Sequence, residues 1–239
     1  MILFDYGQTL ISETKYDGVK GTMAVMKYAT ENPHNYTAEQ IQAEAEEVFR
    51  EIGWGDFSKR HLQITEVHNQ IFNRYLYESL GIKIDLPQEQ FDKIFWDNSA
   101  PGKPTEGIGD FLKFLKAEGI RTGVISNISF CCEAVVERIN RLVPENDFEF
   151  IIPSSEYLFR KPNVRLFKLA LEKAGLDAED VWYIGDNYYC DIEGARNTGM
   201  FPVWYKGAAF NEYPDVEGVL SVHSWEEVKD IISKITKKD

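Results

Sequence analysis

Disulfides are not what holds this chain together. It carries three cysteines, Cys131, Cys132 and Cys190. An odd count with two of them adjacent is not a disulfide framework, and it suits a reducing compartment, so a cytoplasmic location is expected. Positive charge is also scarce. Lysine and arginine total 26 against 39 acids, a formal net charge of -13. A chain of that sign gains nothing from a nucleic-acid backbone or an anionic membrane, so neither partner is expected. A small anionic ligand stays open, because a few cations in a pocket act at short range while the global field is screened. Long apolar runs are missing too. Met1-Ile2-Leu3-Phe4 stops at Asp5 with no basic stretch before it, so neither a signal peptide nor a membrane span is expected. Histidine is sparse, and His34, His61, His68 and His223 show no metal-ligand spacing. His61 and His68 lie seven apart, which suits packing on a helix face.

What is present is enough to build a core. The chain has 239 residues, 44% of them hydrophobic and 13% aromatic. Ile2 to Phe4 reads as a buried strand delivering Asp5 into a loop. Thr37-Ala38-Glu39-Gln40 has capping-box spacing and opens a helix to about Ile52. Further helices are expected from Arg60 to about Leu80 and from Gln88 to about Trp96, with no strand between Ile11 and Ala100. After Pro101-Gly102-Lys103-Pro104 the pattern alternates. Strands are expected at 121–125, 150–152, 181–184, 201–205 and 219–222. Helices are expected at 107–117, 131–142, 164–174, 192–198 and 225–235. Alternation of this kind predicts an α/β fold with a doubly wound, mostly parallel, Rossmann-like sheet. The sheet draws on residues 1–13 and 101–239. Residues 14–100 then form an inserted all-helical domain.

Ligands of open parallel sheets bind beyond the carboxyl ends of the strands. Polar clusters stand at three such ends: Asp5-Tyr6-Gly7-Gln8-Thr9, Ser126-Asn127 and Gly185-Asp186-Asn187. A fourth, Arg160-Lys161-Pro162-Asn163, precedes a helix. Singly, each is ordinary turn or capping chemistry. In this order they suit phosphoryl transfer. A carboxylate attacking phosphorus needs its charge masked by a hard dication with oxygen ligands, supplied by Asp5, Asp186 and a backbone carbonyl. Ser126, Asn127 and Lys161 offer a hydroxyl, an amide and an ammonium to the phosphoryl oxygens. A covalent aspartyl-phosphate divides the reaction into two easier steps.

These residues resemble the haloacid dehalogenase superfamily, in its phosphatase-like branch with a helical cap after the first strand. The matching text is Leu3-Phe4-Asp5-Tyr6-Gly7-Gln8-Thr9-Leu10, Gly123-Val124-Ile125-Ser126-Asn127, Arg160-Lys161-Pro162, and Tyr183-Ile184-Gly185-Asp186-Asn187 with Asp191. The resemblance implies Asp5 as nucleophile, and Ser126 and Lys161 as phosphate ligands. It implies Mg2+ held by Asp5, the Gly7 carbonyl and Asp186, with Asp191 orienting Lys161 or a metal-bound water. Gln8 and Asn127 are counted with the phosphate-binding residues, and Thr9 and Asn187 with the supporting ones. The expected partner is a small phosphorylated metabolite.

One departure narrows this expectation. Phosphatases of the family usually place a second Asp two positions after the nucleophile, as general acid and base. Here that position is Gly7. Transport ATPases carry Thr there and phosphonoacetaldehyde hydrolases Ala, so the fold tolerates the loss, but slow turnover of alkyl phosphates is expected. Two alternatives stand beside the phosphatase reading. One is a 2-haloacid dehalogenase, which needs no metal and typically carries Tyr at the Gly7 position. Gly185-Asp186 argues against it. The other is a phosphate-binding protein with little or no catalysis. Trp54, Phe57, Tyr75 and Tyr77 are expected in the core of the insert, Cys190 as a packed thiol, and Tyr188 and Tyr189 near the site entrance.

Overall fold

The computed structural model describes residues 1–54, 62–208 and 214–236. In chain order its elements are β1 (Ile2–Phe4), β2 (Ile11–Glu13), α1 (Gly18–Val25), β3 (Ala29–Glu31), α2 (Ala38–Glu51), α3 (Asn69–Ser79), β4 (Lys83–Ile84), α4 (Gln88–Ser99) and β5 (Gly102–Pro104). They continue with α5 (Ile108–Ala117), β6 (Thr122–Ser126), α6 (Cys132–Leu142), β7 (Ile151–Pro153), α7 (Val164–Ala174), β8 (Trp182–Gly185), α8 (Gly194–Thr198), β9 (Phe201–Tyr205), β10 (Leu220–Val222) and α9 (Trp225–Thr236).

Six strands form one parallel sheet in the order β10-β9-β8-β1-β6-β7. All six match strands expected from the apolar runs. β1 sits between β6 and β8, with Leu3 level with Gly123 and Tyr183. Strand alternation sends its side chains to opposite faces. Phe4 meets Phe111 of α5 and Trp225 of α9, with ring centroids 6.3 and 5.8 Å away. Leu3 joins the other layer, with Leu166, Phe167 and Ala170 of α7. Burial on both faces explains why these strands read as continuous apolar runs rather than alternating ones. The doubly wound α/β fold is therefore as expected.

The insert follows its expected pattern only in part. Thr37 closes the expected capping box, with its hydroxyl accepting from the Gln40 amide and the Gln40 side chain accepting from the Thr37 amide. Among the described residues, the segment between residues 14 and 100 gives no strand to the main sheet. It is not free of strands, however. β2 pairs antiparallel with β5 at its root, and β3 with β4 inside it. The helix expected from Arg60 is shorter. Arg60, Phe57 and His61 lie outside the described residues, and α3 begins at Asn69, capped by His68, whose Nδ1 accepts from the Gln70 amide. Residues 64–66 instead run extended beside residues 158–160, with the Glu66 amide on the Leu158 carbonyl and the Arg160 amide on the Ile64 carbonyl. Backbone pairing to the core thus overrides helical periodicity there. Buried Ile41, Phe72 and Phe91 of the insert are continuous with Phe4 of β1 and Trp225 of α9.

Candidate active site

β1, β6 and β8 end side by side, and their carboxyl ends deliver Asp5, Ser126 and Asp186 to one cavity. The Asp5 amide donates to the Ile184 carbonyl at 2.9 Å, which fixes the loop that follows β1 to β8. Asp5 is 8% exposed and Ser126 3%. Both line a cavity of about 760 Å³ together with Gly7, Asn127, Lys161 and Asp186.

Lys161 is the hinge of the arrangement. Its ammonium donates to Asp5 Oδ1 at 2.5 Å, to Asp191 Oδ1 at 2.6 Å and to the Tyr183 hydroxyl at 2.8 Å. Burial opposes its charge, but Asp191 and Asp5 more than offset it and raise its pKa. The ammonium therefore holds its proton. Burial pushes Asp5 up to about 6, against the pull of Lys161. Asp186 is raised well above the usual carboxylate range by burial and then by the charges of Asp5 and Asp191.

One carboxylate oxygen from each of Asp5, Asp186 and Asp191 lies within 4.8 Å of the others. The Asp191 carboxylate is already committed. Its Oδ1 accepts from Lys161 and its Oδ2 from the Asn187 amide at 2.9 Å. That leaves Asp5 and Asp186, with the Gly7 backbone beside them, facing the cavity. Three carboxylates against one ammonium in a buried, all-oxygen setting fit a hard dication such as Mg2+.

The remaining expected residues are held by their own hydrogen bonds. The Asn127 amide is occupied by the backbone of Lys161. Its Nδ2 donates to the Lys161 carbonyl at 2.9 Å and its Oδ1 accepts from the Lys161 amide at 2.7 Å. Asn127 therefore fixes the Lys161 backbone through its side chain, and its second N–H is not used in these contacts. Gln8 spends its Nε2 on the Glu13 carbonyl at 3.0 Å. Thr9 is fully buried, and its carbonyl accepts from Thr105 Oγ1 at 2.8 Å. The Asn187 side chain caps the single π-turn Tyr188–Glu193, accepting from the Cys190 amide at 2.9 Å. Gly7 has no neighbouring atom within 4 Å of where a side chain would begin, so its lack of one is chemical rather than steric.

The sequence did not reveal Tyr183 as a site residue, because it sits inside an apolar strand. Its hydroxyl accepts from Lys161 and donates to the Ile125 carbonyl at 2.9 Å, tying β8, β6 and the lysine together. Gly185 also matters. A Cβ there would lie 2.4 Å from the Asp191 carboxyl carbon, so glycine leaves the room Asp191 occupies. Tyr77 and Trp54, expected in the core of the insert with one such aromatic free to face the site, are buried and line the cavity, whereas Tyr75, expected with them, is exposed. Cys190 is a buried thiol raised to about 12 by burial, in keeping with a packing role.

Comparison with known proteins agrees with this geometry. The family model described as haloacid dehalogenase-like hydrolase matches residues 2–204. A glyceraldehyde 3-phosphate phosphatase of Pyrococcus abyssi is 37% identical over 92 residues, 38% of each chain. One from Methanocaldococcus jannaschii is 33% identical over 131 residues, 53% of this chain and 55% of that one. The match thus spans only 38% to 55% of the length of these two relatives. The crystal structure of a 2-haloacid dehalogenase from Pseudomonas syringae superposes with a TM-score of 0.66 at 21% identity, covering 98% of this chain and 97% of that one, which shows a common fold. A family match over residues 2–204, with Asp5, Ser126, Lys161 and Asp186 converging on one cavity, places the chain among the haloacid dehalogenase-like hydrolases.

Proposed function

We propose that this chain is a Mg2+-dependent phosphoryl hydrolase that acts on a small phosphorylated metabolite through an aspartyl-phosphate on Asp5. The observation that carries this reading is the Lys161 ammonium held between Asp5 and Asp191, at 2.5 and 2.6 Å, on the floor of a cavity that also exposes Asp186. Asp5 attacks phosphorus. Lys161 neutralises charge on the phosphoryl oxygens and on the carboxylate that becomes the aspartyl-phosphate. Ser126 offers its hydroxyl to the same oxygens. Asp191, Tyr183 and Asn127 hold Lys161 in place. Asp5, Asp186 and the Gly7 carbonyl would hold Mg2+, which when bound masks the negative charge of nucleophile and substrate from each other. The phosphatase names of the archaeal relatives support the substrate class.

Residues 1–13 and 101–239 serve as the catalytic unit and residues 14–100 as a cap that closes over it. The three cysteines are all free thiols, which suits a reducing cytoplasm. Among the described residues no helix is long and apolar enough to cross a membrane.

With Gly7 two positions after the nucleophile, no side chain there donates a proton to a departing alkoxide. Alkyl phosphates therefore turn over slowly, and esters with better leaving groups faster. The test measures kcat for an aryl and an alkyl phosphate with Mg2+. Equal rates sink the reading of Gly7. The space beside Gly7 admits Gly7→Asp, and that variant is expected to gain roughly 10²-fold on the alkyl ester.

A further inference from the structure

The cavity is larger and more aromatic than a phosphate site needs. Its floor, at the strand ends, is polar. Its roof comes from the insert and the loop after β6, and is walled by Phe49, Phe72, Tyr77, Phe95, Trp96 and Phe130. Phe49 and Phe72 stack on each other with centroids 4.1 Å apart and planes 13° apart, and Trp96 stacks on Phe130 at 4.5 Å and 19°. The volume of about 760 Å³ lies within the range of roughly 300–1,000 Å³ that holds drug-sized ligands. A three-carbon phosphate would leave most of these rings unfilled.

Among the described residues, the charge in the roof does not favour a second anionic group on the ligand. Among the described residues, the insert brings one cation to the cavity, Lys15, which is exposed at the rim. Arg160 also lines it, but its guanidinium is paired with the buried Glu66 and lies 4.9 Å over the Trp54 ring. Among the described residues, three buried polar atoms of the cavity wall are left over, Gln8 Oε1, Arg160 Nε and, in the roof, Asn73 Nδ2. Asn73 Nδ2 is buried, lines the cavity and has no hydrogen-bond partner. A buried donor without an acceptor costs about 1–3 kcal/mol, which a ligand acceptor would recover.

We infer that the substrate is a phosphate monoester of an uncharged aromatic alcohol, its ring packed against Phe49 and Phe72 and an acceptor on the ring taking the Asn73 amide. This rests on the phosphatase reading above and deepens it. Gly7 points to the same class by a separate route. A phenol ionises near about 10, whereas an alcohol as weakly acidic as water ionises near about 15.7, so a phenolate leaves without a proton donor. In the step, an Asp5 carboxylate oxygen bonds to phosphorus as the bond from phosphorus to the ring oxygen breaks. The electron pair leaves on that oxygen, which takes its proton from water. A second water then releases inorganic phosphate and restores Asp5.

Leaving-group effects would blur a rate comparison, so the deciding measurement is binding. Affinities of methylphosphonate, benzylphosphonate and 4-methoxybenzylphosphonate are measured by calorimetry on the full chain with Mg2+. Benzylphosphonate is expected to bind at least tenfold tighter than methylphosphonate. The conservative variants Phe49→Leu and Phe72→Leu are expected to cut that ratio below threefold and leave methylphosphonate unchanged. Asn73→Leu is expected to remove the advantage of the methoxy compound over benzylphosphonate. Equal binding of methyl- and benzylphosphonate by the folded wild-type chain overturns the inference, as does a ratio that survives both phenylalanine variants. Hydrolysis of phenyl phosphate, assayed in parallel, separates the two levels. Turnover with equal phosphonate affinities leaves the phosphatase reading standing and ends the aromatic one. Tighter benzylphosphonate binding without turnover of any ester does the reverse.

Discussion

Lys161 and Arg138 are both 2% exposed, and each is held by two carboxylates and a tyrosine hydroxyl. Lys161 has Asp5, Asp191 and Tyr183. Arg138 has Glu13, Asp97 and Tyr6, and donates as well to the Ala100 carbonyl at 2.6 Å. The difference lies in the charge left over. Asp97 is shared with Arg141, which also pairs with Glu137, itself paired with Lys93, so three acids meet three cations around Arg138. Around Lys161 a third carboxylate, Asp186, raises the count to three acids against one ammonium. The balanced cluster joins the end of β2, α4 and α6 at the root of the insert, and its work is structural. The unbalanced one forms the floor of the cavity, which Tyr6 and Glu13 of the balanced one also border, and its surplus negative charge calls for a cation. Burial and hydrogen bonding alone do not separate the two, whereas the sum of charges does.

The largest expected effect comes from breaking the unbalanced cluster at its nucleophile. Asp5→Asn should lower phosphate-ester turnover by about 10⁴-fold, or about 5.4 kcal/mol of barrier. The same variant should melt higher than wild type in EDTA at pH 8. Asp5 has its pKa raised to about 6 by burial, so the folded chain holds a proton that the unfolded chain has released. Its contribution to stability is present below about pH 4 and is lost as the pH rises through 6. The melting-temperature gap between variant and wild type should therefore open across that window and stay level above it. A variant that melts lower at pH 8 would put Asp5 with the structural acids.

Arg138 should behave in the opposite way. Arg138→Ala strands Glu13, which burial already raises above the usual carboxylate range. Removing one partner of a buried pair costs about 3–5 kcal/mol, to be read from the urea midpoint. Turnover per folded molecule should fall far less than with Asp5→Asn. A loss of activity with unchanged stability would overturn the distinction.

How the two clusters could be read beforehand also differs. Asp5, Ser126, Lys161 and Asp186 stand at strand ends or before a helix, where short motifs mark them, and the six apolar runs fix the sheet that gathers them. Arg138 carries no such mark. Its partners lie 125, 41 and 132 residues away along the chain, and it occupies a helix where a charged residue reads as solvent-facing. Tyr183 hides because only its hydroxyl is polar in an otherwise apolar strand. Asn127 announces a polar contact but not its target, since the target is the Lys161 backbone. The extended stretch at residues 64–66 has helical periodicity, and its pairing with residues 158–160 is a contact between distant segments that no local pattern records.

A smaller effect tests the surplus charge directly. Mg2+ at 100 times its Kd should stabilise the wild-type fold by about 2.7 kcal/mol over EDTA. Asp186→Asn should abolish the response, because it removes one of the two carboxylates still open to a cation. Arg138→Ala should keep the full increment on its lower baseline. If Asp186→Asn responds as wild type does, the ion sits elsewhere and the three-acid count has been misread.

Tyr6→Phe makes the finest cut, since Tyr6 follows the nucleophile in sequence yet belongs to the other cluster. Its hydroxyl accepts from Arg138 Nε at 2.8 Å and sits 3.3 Å from Glu13 Oε1. Burial raises its pKa well above the usual phenol range, so it stays neutral and able to donate. Phenylalanine fills the same space and leaves Arg138 one acceptor short, while Glu13, Asp97 and the Ala100 carbonyl remain. The expected cost is about 1–1.5 kcal/mol in urea unfolding, near the lower end of the penalty for an unmet buried donor. The clusters are separable if this cost adds to that of Asp5→Asn within about 0.5 kcal/mol and fails to add to that of Arg138→Ala. Coupling to Asp5→Asn would mean that the backbone between residues 5 and 6 transmits strain from one cluster to the other, and additivity with Arg138→Ala would take Tyr6 out of the Arg138 cluster; in either case the charge count would no longer be enough to tell the clusters apart.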